Sequence, residues 1–212
     1  MLLGACVGED TTPAATEYRI AVQRTMAQYR VPGAVVAVRV PGEAEWREGF
    51  GVGDAEHRVP IDPDAYFSIC SLTKSMTVTL ILQLVRDQAI GLDDPISRYV
   101  PGIPNGDRIT LSQLAGMASG VKNYTLVGPE LQRIRMSRSR AATSGPKYGR
   151  YGLGIGQLDG WWGHTGEALG FQAAVFREPA SGAVIAVLLN SSQTDNVATE
   201  IFQAVAGVVA RR

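Results

Sequence analysis

The chain has 212 residues, 45% of them hydrophobic, and twenty basic side chains balance twenty acidic ones, leaving no net formal charge. This length and apolar content suit one large or two small domains with a real core and exclude a disordered chain, while the charge balance offers no general attraction to nucleic acid or anionic lipid. Two cysteines, Cys6 and Cys70, and two histidines, His57 and His164, exclude a disulfide framework, a CxxC zinc or redox site and a histidine-rich metal centre, and no run of about 18 apolar residues offers a membrane-spanning helix.

In chain order, Met1-Leu2-Leu3-Gly4-Ala5-Cys6 resembles the tail of a bacterial lipoprotein signal, with Leu3-Gly4-Ala5 preceding an acylated Cys6. The charged n-region and most of the apolar h-region are missing. Two readings stand side by side. One is a lipid anchor at Cys6 and an extracytoplasmic place in a bacterial cell envelope; the other is a frayed terminus with a chance cysteine. Residues 1–11 are therefore a tail, and 12–212 a single domain.

From Thr12 to about Arg30, apolar residues recur at three and four, predicting an amphipathic helix stopped before Pro32. Gly33 to Val40 reads as a buried strand, Pro41-Gly42 as a turn, Glu45 to Gly53 as the hairpin partner, and Asp54 to Ala65 as loop. Leu72 to Ile90 is the strongest helix, with Leu72, Met76, Leu80, Ile81, Leu84 and Val85 on one broad face and Val78 and Leu82 on the other. A helix apolar nearly all round must be covered on more than one side. Ile96 to Ile109 reads as loop, and Thr110 opens a short helix.

Arg133 to Arg150 carries six basic residues and no acidic ones, which reads as a solvated loop rather than a nucleic-acid site, since aromatic interleaving is lacking. Tyr151 to Gln157, Phe171 to Glu178 and Ala183 to Asn190 read as strands and Thr194 to Val209 as a closing helix. Short turns between the strands imply antiparallel neighbours. The order predicts one antiparallel sheet joined from both chain ends and flanked by helices, an α/β fold of the α+β type.

The chemistry starts at FSICSLTKSMTV, residues 67 to 78. Ser71 and Lys74, at i and i+3 at the start of a helix, share one face and can exchange a proton. A desolvated lysine gives up its charge and serves as a base, and the helix N-terminus favours a developing oxyanion beside Ser71. Cys70 is a rival nucleophile in principle, with a buried small thiol as the plainer reading. A second constellation, GWWGHTGEALGFQ at 160 to 172, puts His164, Thr165 and Gly166 just before a strand. It offers an imidazole, a hydroxyl and backbone N–H groups; on its own it equally fits a glycine-rich hairpin with a surface histidine.

With FSICSLTKSMT followed by LSQLAGMASGV and then by YGLGIG and WWGHTGEALGF, the sequence resembles the penicillin-recognising serine hydrolases, in the branch of class C β-lactamases, D-alanyl-D-alanine carboxypeptidases and related esterases. The resemblance runs from about Thr12 to the C-terminus and implies a β-lactamase/transpeptidase-like fold. It implies Ser71 as acylated nucleophile, Lys74 as adjacent base or proton relay, and His164 with them among the catalytic residues. Thr165, Gly166 and Glu167 are the implied substrate-binding residues, with the N–H groups of Ser71 and of the residue after Gly166 as oxyanion hole. No metal and no organic cofactor are implied, since a serine, an amine and backbone donors suffice for acyl transfer.

One part of the family pattern is missing. No Tyr-x-Asn or Ser-x-Asn triplet, the second motif of these enzymes, occurs anywhere in the chain. The text resumes near Leu131 as if a helical segment had been removed at about 125–131, truncating the helical subdomain. The Leu72 to Ile90 helix then lacks its second cover, which predicts exposed apolar surface around Val78 and Leu82 and a homodimer or aggregation through it. Function divides accordingly. One reading is a hydrolase acting through a Ser71 acyl-enzyme on a β-lactam, a D-Ala-D-Ala peptide of peptidoglycan or a small ester. The other is an impaired remnant that binds cell-wall peptide or antibiotic without turnover.

Overall fold

A computed structural model describes residues 11–54, 56–119, 148–168, 170–192 and 195–212, with the backbone of 140–141. The Cys6 tail, the 125–131 junction and most of the Arg133 to Arg150 run lie outside the described residues.

Helix α1 (Pro13–Tyr29) starts where its sequence dictates: Thr12 Oγ1 accepts from Ala15 N at 3.2 Å, and Pro13 takes the first turn, where its missing N–H costs nothing. The apolar run at β1 (Gly33–Arg39) becomes a central strand, paired with β2 (Trp46–Asp54) on one side. Within the stretch predicted as loop, Val59–Pro60 forms a two-residue edge strand, β3. A proline is tolerated there because an edge strand has a side on which no donor is needed.

Helix α2 (Leu72–Arg86) ends four residues before the predicted Ile90, as the chain turns through Gln88 at a φ of 59°. A 3-10 turn at Ile96–Arg98 follows. Helix α3 (Leu111–Ala115) then opens with a capping box between Thr110 and Gln113, the pattern its T-L-S-Q sequence spells. The strands β4 (Arg140–Ala141), β5 (Arg150–Gly152) and β6 (Ile155–Leu158) come next. The single strand expected over Tyr151 to Gln157 is thus a hairpin, broken at Gly154, whose φ of 63° suits glycine. β7 (Trp161–Ala168), β8 (Phe171–Arg177), β9 (Val184–Leu189) and α4 (Val197–Val209) complete the chain.

The strands form one antiparallel sheet in the order β3-β2-β1-β9-β8-β7-β6-β5-β4. β1 pairs with β9 from Ala34↔Leu189 to Arg39↔Val184, so the two chain ends are joined in the sheet as expected. Helices α1 and α4 pack together over it, and Tyr18, Val22 and Met26 of α1, Val36, Ile185 and Val187 of the sheet, and Ile201, Phe202 and Val205 of α4 share one buried cluster. Phe176 and Phe202 stack with ring centroids 4.5 Å apart. The first turn of α4 is held by the fully buried Gln172 of β8, whose amide accepts from Val197 N at 2.9 Å and donates to the Asp195 carbonyl at 2.8 Å. That side chain, not a local cap, moves the helix start from the predicted Thr194 to Val197.

The prediction for α2 is corrected. Val78 and Leu82 are 1% and 0% exposed and pack with Leu92, Ala115 and Leu153. Met76, Leu80 and Leu84, placed by the sequence on the covered face, are 57%, 58% and 45% exposed. The reason is Lys74. It lies one and two turns before Val78 and Leu82, and these three positions form the buried stripe, with Met76, Leu80 and Leu84 on the far side. Counting only apolar residues hides this, because the residue that marks the buried face is charged by type. An exposed apolar helix face exists, but it is not the one around Val78 and Leu82.

Candidate active site

Ser71 precedes α2, in the position that caps a helix, yet its hydroxyl makes no capping bond. Instead Lys74 Nζ lies 2.8 Å from Ser71 Oγ. A serine at this place ordinarily spends its oxygen on a backbone N–H; here the oxygen is left to the amine. Lys74 is 7% exposed, and this burial lowers its pKa from the ordinary lysine value. Desolvation favours the neutral amine, and a neutral amine beside a serine hydroxyl is an arrangement that can take a proton from a nucleophile.

The turn leading into α2 is strained and tightly held. Cys70 adopts a left-handed backbone with φ at 50°, an unusual conformation for a side chain other than glycine, and it immediately precedes the candidate nucleophile. Its thiol is free and only partly buried, within reach of the Ser68 hydroxyl at 3.3 Å rather than of a base. Phe67 meets Phe171 of β8 edge-on at 6.2 Å, and Ser75 donates to the Gly154 carbonyl at 2.9 Å. The start of α2 is therefore fastened to β8 on one side and to the β5–β6 turn on the other.

The glycine-rich segment expected to precede a strand is itself strand β7, paired with β8 from Trp162↔Arg177 to Ala168↔Phe171. Gly166 explains the closeness of the two elements. A Cβ there would sit 2.2 Å from the Ile69 carbonyl oxygen and 3.1 Å from Cys70 Cβ, so only glycine lets β7 lie against the turn that carries Ser71. The SxxK and HTG segments, ninety-odd residues apart in the sequence, are thus brought into direct backbone contact. Glu167 lies next on β7 with its side chain exposed.

His164 and Thr165 are both buried, and each is held by a tyrosine that sequence reasoning did not single out. β7 leaves β6 after Gly163, and beyond that point the Thr165 N–H donates to the Tyr148 hydroxyl at 2.7 Å in place of a strand partner. The same hydroxyl is 2.8 Å from Thr165 Oγ1. Burial pushes the Tyr148 phenol up to about 12, against the smaller opposing pull of its Thr165 bonds. Tyr151 on β5 lies with its hydroxyl 2.8 Å from His164 Nε2, and its ring stands edge-on to the imidazole at 5.7 Å. The signal that could have found them is the spacing in K-Y-G-R-Y-G: two tyrosines separated and followed by glycines at the entry to a strand.

Among the described residues no group of His, Cys, Asp and Glu is placed to hold a metal ion. His57 stands away from the site, exposed and bonded to Asp54 at 2.7 Å.

A family profile described as Beta-lactamase matches residues 19–133. The chain is similar to the serine beta-lactamase-like protein LACTB, mitochondrial, of Bos taurus, with 34% identity over 109 residues, 49% of this chain and 20% of that protein. It is also similar to the putative penicillin-binding protein PbpX of Bacillus subtilis strain 168, with 36% identity over 92 residues, 43% of this chain and 23% of that one. The matched stretch spans about a fifth of the length of these relatives. In fold, the chain is like the D-amino acid amidase of Ochrobactrum anthropi SV3 complexed with D-phenylalanine, with a TM-score of 0.77 and 14% identity over 93% of this chain and 99% of that one. It is likewise similar to the D-alanine carboxypeptidase AmpC of Burkholderia cenocepacia, with a TM-score of 0.68 and 15% identity over 91% and 99%.

Proposed function

The chain belongs to the beta-lactamase family, and from that premise we propose that it is a serine hydrolase working through a Ser71 acyl-enzyme on a β-lactam, a D-Ala-D-Ala peptide or a small ester. The observation that carries this reading is the 2.8 Å contact between Ser71 Oγ and the buried Lys74 Nζ. Neutral Lys74 takes the hydroxyl proton as Ser71 Oγ bonds to the substrate carbonyl carbon. The proton then passes from Lys74 to the leaving nitrogen or oxygen as its bond to that carbon breaks, and water later releases the acyl group as acid. In this reading Thr165 and Gly166 bind the substrate, with Glu167 following on the strand; the packing of Gly166 against Ile69 and Cys70, just before Ser71, supports it.

A second reading, binding with little or no turnover, is favoured by one observation: no Tyr-x-Asn or Ser-x-Asn triplet is present to relay a proton. Intact-mass analysis after incubation with a penicillin and with an activated ester tests both. The hydrolase reading expects an adduct that Ser71→Ala abolishes, that Lys74→Ala slows by about 10² to 10⁴, and that decays with release of the acid. A Ser71 adduct that persists identifies the trapped binder. No adduct on folded protein overturns the acyl-enzyme.

The envelope location and the acyl anchor at Cys6 are supported by the Leu3-Gly4-Ala5-Cys6 sequence. Metabolic labelling with a fatty acid in the native host tests them, and an unlabelled Cys6 thiol overturns the anchor.

A further inference from the structure

The His164 imidazole is engaged at both nitrogens. Nδ1 lies within hydrogen-bonding distance of its neighbour's carbonyl, Thr165 O. A carbonyl oxygen only accepts, so Nδ1 carries the proton. In the neutral ring Nε2 is then a bare acceptor, and the group 2.8 Å from it, the Tyr151 hydroxyl, is the donor. His164 is buried, so its Nε2 calls for a donor inside the protein, and the Tyr151 hydroxyl stands at the distance to supply one.

Tyr151 reaches this place through the fold. β5 turns into β6 at Gly154, whose carbonyl receives the Ser75 hydroxyl one turn past Ser71, so the β5–β6 hairpin is fastened to the same face of α2 that carries Ser71 and Lys74. Tyr151 also borders a cavity of about 140 Å³ with Ser112, Gln113, Gly116 and Leu153. Its ring packs against both Tyr148 and His164, at 5.6 and 5.7 Å, which fixes the direction from which the hydroxyl approaches.

We infer that Tyr151 is a positioning residue for the proposed acyl transfer: its hydroxyl donates to His164 Nε2, holds the imidazole as the neutral Nδ1–H tautomer, and leaves Lys74 rather than His164 to take the Ser71 proton. Within the HTG segment the histidine is then a fixed post with no free lone pair, and the groups that meet a substrate are its neighbours. The inference rests on the serine-hydrolase reading for its catalytic consequence, but not for the geometry of the imidazole.

With only His57 and His164 in the chain, nitrogen-15 labelling of histidine gives two imidazoles, told apart by His57→Gln. The expected spectrum shows His164 protonated at Nδ1, with Nε2 a hydrogen-bonded acceptor. Tyr151→Phe should keep the Nδ1 proton and move the Nε2 resonance toward that of an unbonded acceptor, and should lower the rate of acylation by an activated ester about tenfold at unchanged Lys74 dependence. An Nε2–H tautomer in the unaltered protein overturns the inference, and so does an Nε2 resonance unmoved in Tyr151→Phe. Should Tyr151→Phe fail to fold, the spectrum of the unaltered protein still decides the tautomer. Should the unaltered protein take no acyl group at all, the hydrolase reading fails while the nitrogen spectrum still judges Tyr151.

Discussion

Lys74 is costly to bury and is buried nonetheless, on a stripe that Val78 and Leu82 continue into an apolar cluster. Its pKa is lowered by desolvation, so between the folded value and the ordinary 10.5 the unfolded chain binds the extra proton. The sign follows: the burden of Lys74 is fully present below the folded pKa and is relieved as pH rises toward 10.5. Lys74→Met should therefore raise the urea midpoint most at neutral pH, with the advantage shrinking toward 10.5. A constant advantage across that range would mean that the amine is not desolvated. Tyr148 works in the opposite sense. Its folded pKa is raised to about 12, so its contribution is whole below 10.0 and is lost as pH climbs to about 12. Tyr148→Phe should be less stable by about 1–3 kcal/mol near neutrality, through the orphaned Thr165 N–H, and should lack that alkaline fall. Gly166→Ala puts a methyl 2.2 Å from the Ile69 carbonyl. It should cost about 1–3 kcal/mol and lower acylation at least about 100-fold, read by urea titration and by intact mass.

Helix α2 shows how far an element can be read from its letters. The SxxK spacing placed Ser71 and Lys74 on one face at a helix start, and the 2.8 Å contact agrees. The same letters misplaced the buried face, because apolar counting cannot see that a lysine shares the buried stripe with Val78 and Leu82. β7 was hidden for a related reason: Gly163, His164 and Gly166, which flank Thr165, have no strong strand preference of their own. They are made a strand by pairing with β8 and, at Thr165, by the Tyr148 hydroxyl. The K-Y-G-R-Y-G spacing could have marked the two tyrosines, but what they hold was not legible, because it depends on where β7 parts from β6, a property of the sheet and not of the local sequence. The α2 faces make a direct comparison. Leu82→Ala should cost about 2–5 kcal/mol as a buried truncation, whereas Leu80→Glu on the exposed stripe should cost less than about 0.5 kcal/mol and reduce binding of a hydrophobic dye. Urea midpoints that rank the two the other way would reverse the assignment of the faces.

At the scale of the whole molecule, the site lies on a seam between two apolar clusters of unequal size. β7 belongs to the sheet, which α1 and α4 cover with a large cluster reaching from Ala15 to Val208. Ser71 and Lys74 belong to α2, whose own cluster is small: Val78, Leu82, Leu92, Ala115 and Leu153, with Ile81 and Val85 partly buried beside it. Local stability follows the amount of apolar contact that an opening must break. The α2 amides should therefore exchange hydrogen through a partial opening of lower free energy than the amides of β8 and β9, which flank each other in the middle of the sheet. Phe202→Ala, in the large cluster, should cost about 3–5 kcal/mol and bring both sets of amides down, while Leu82→Ala should speed exchange in α2 and leave β8 and β9 nearly untouched. Exchange measured by mass spectrometry on peptides covering 72–86 and 171–189 reads both effects in one experiment. If Leu82→Ala accelerates both peptides equally, the two clusters open as one unit and Ser71 is held as rigidly as the sheet. If it accelerates α2 alone, Ser71, the candidate nucleophile, and Lys74 ride on the softer half of the fold, and anything that packs onto the exposed Met76, Leu80 and Leu84 stripe would stiffen the candidate site from outside.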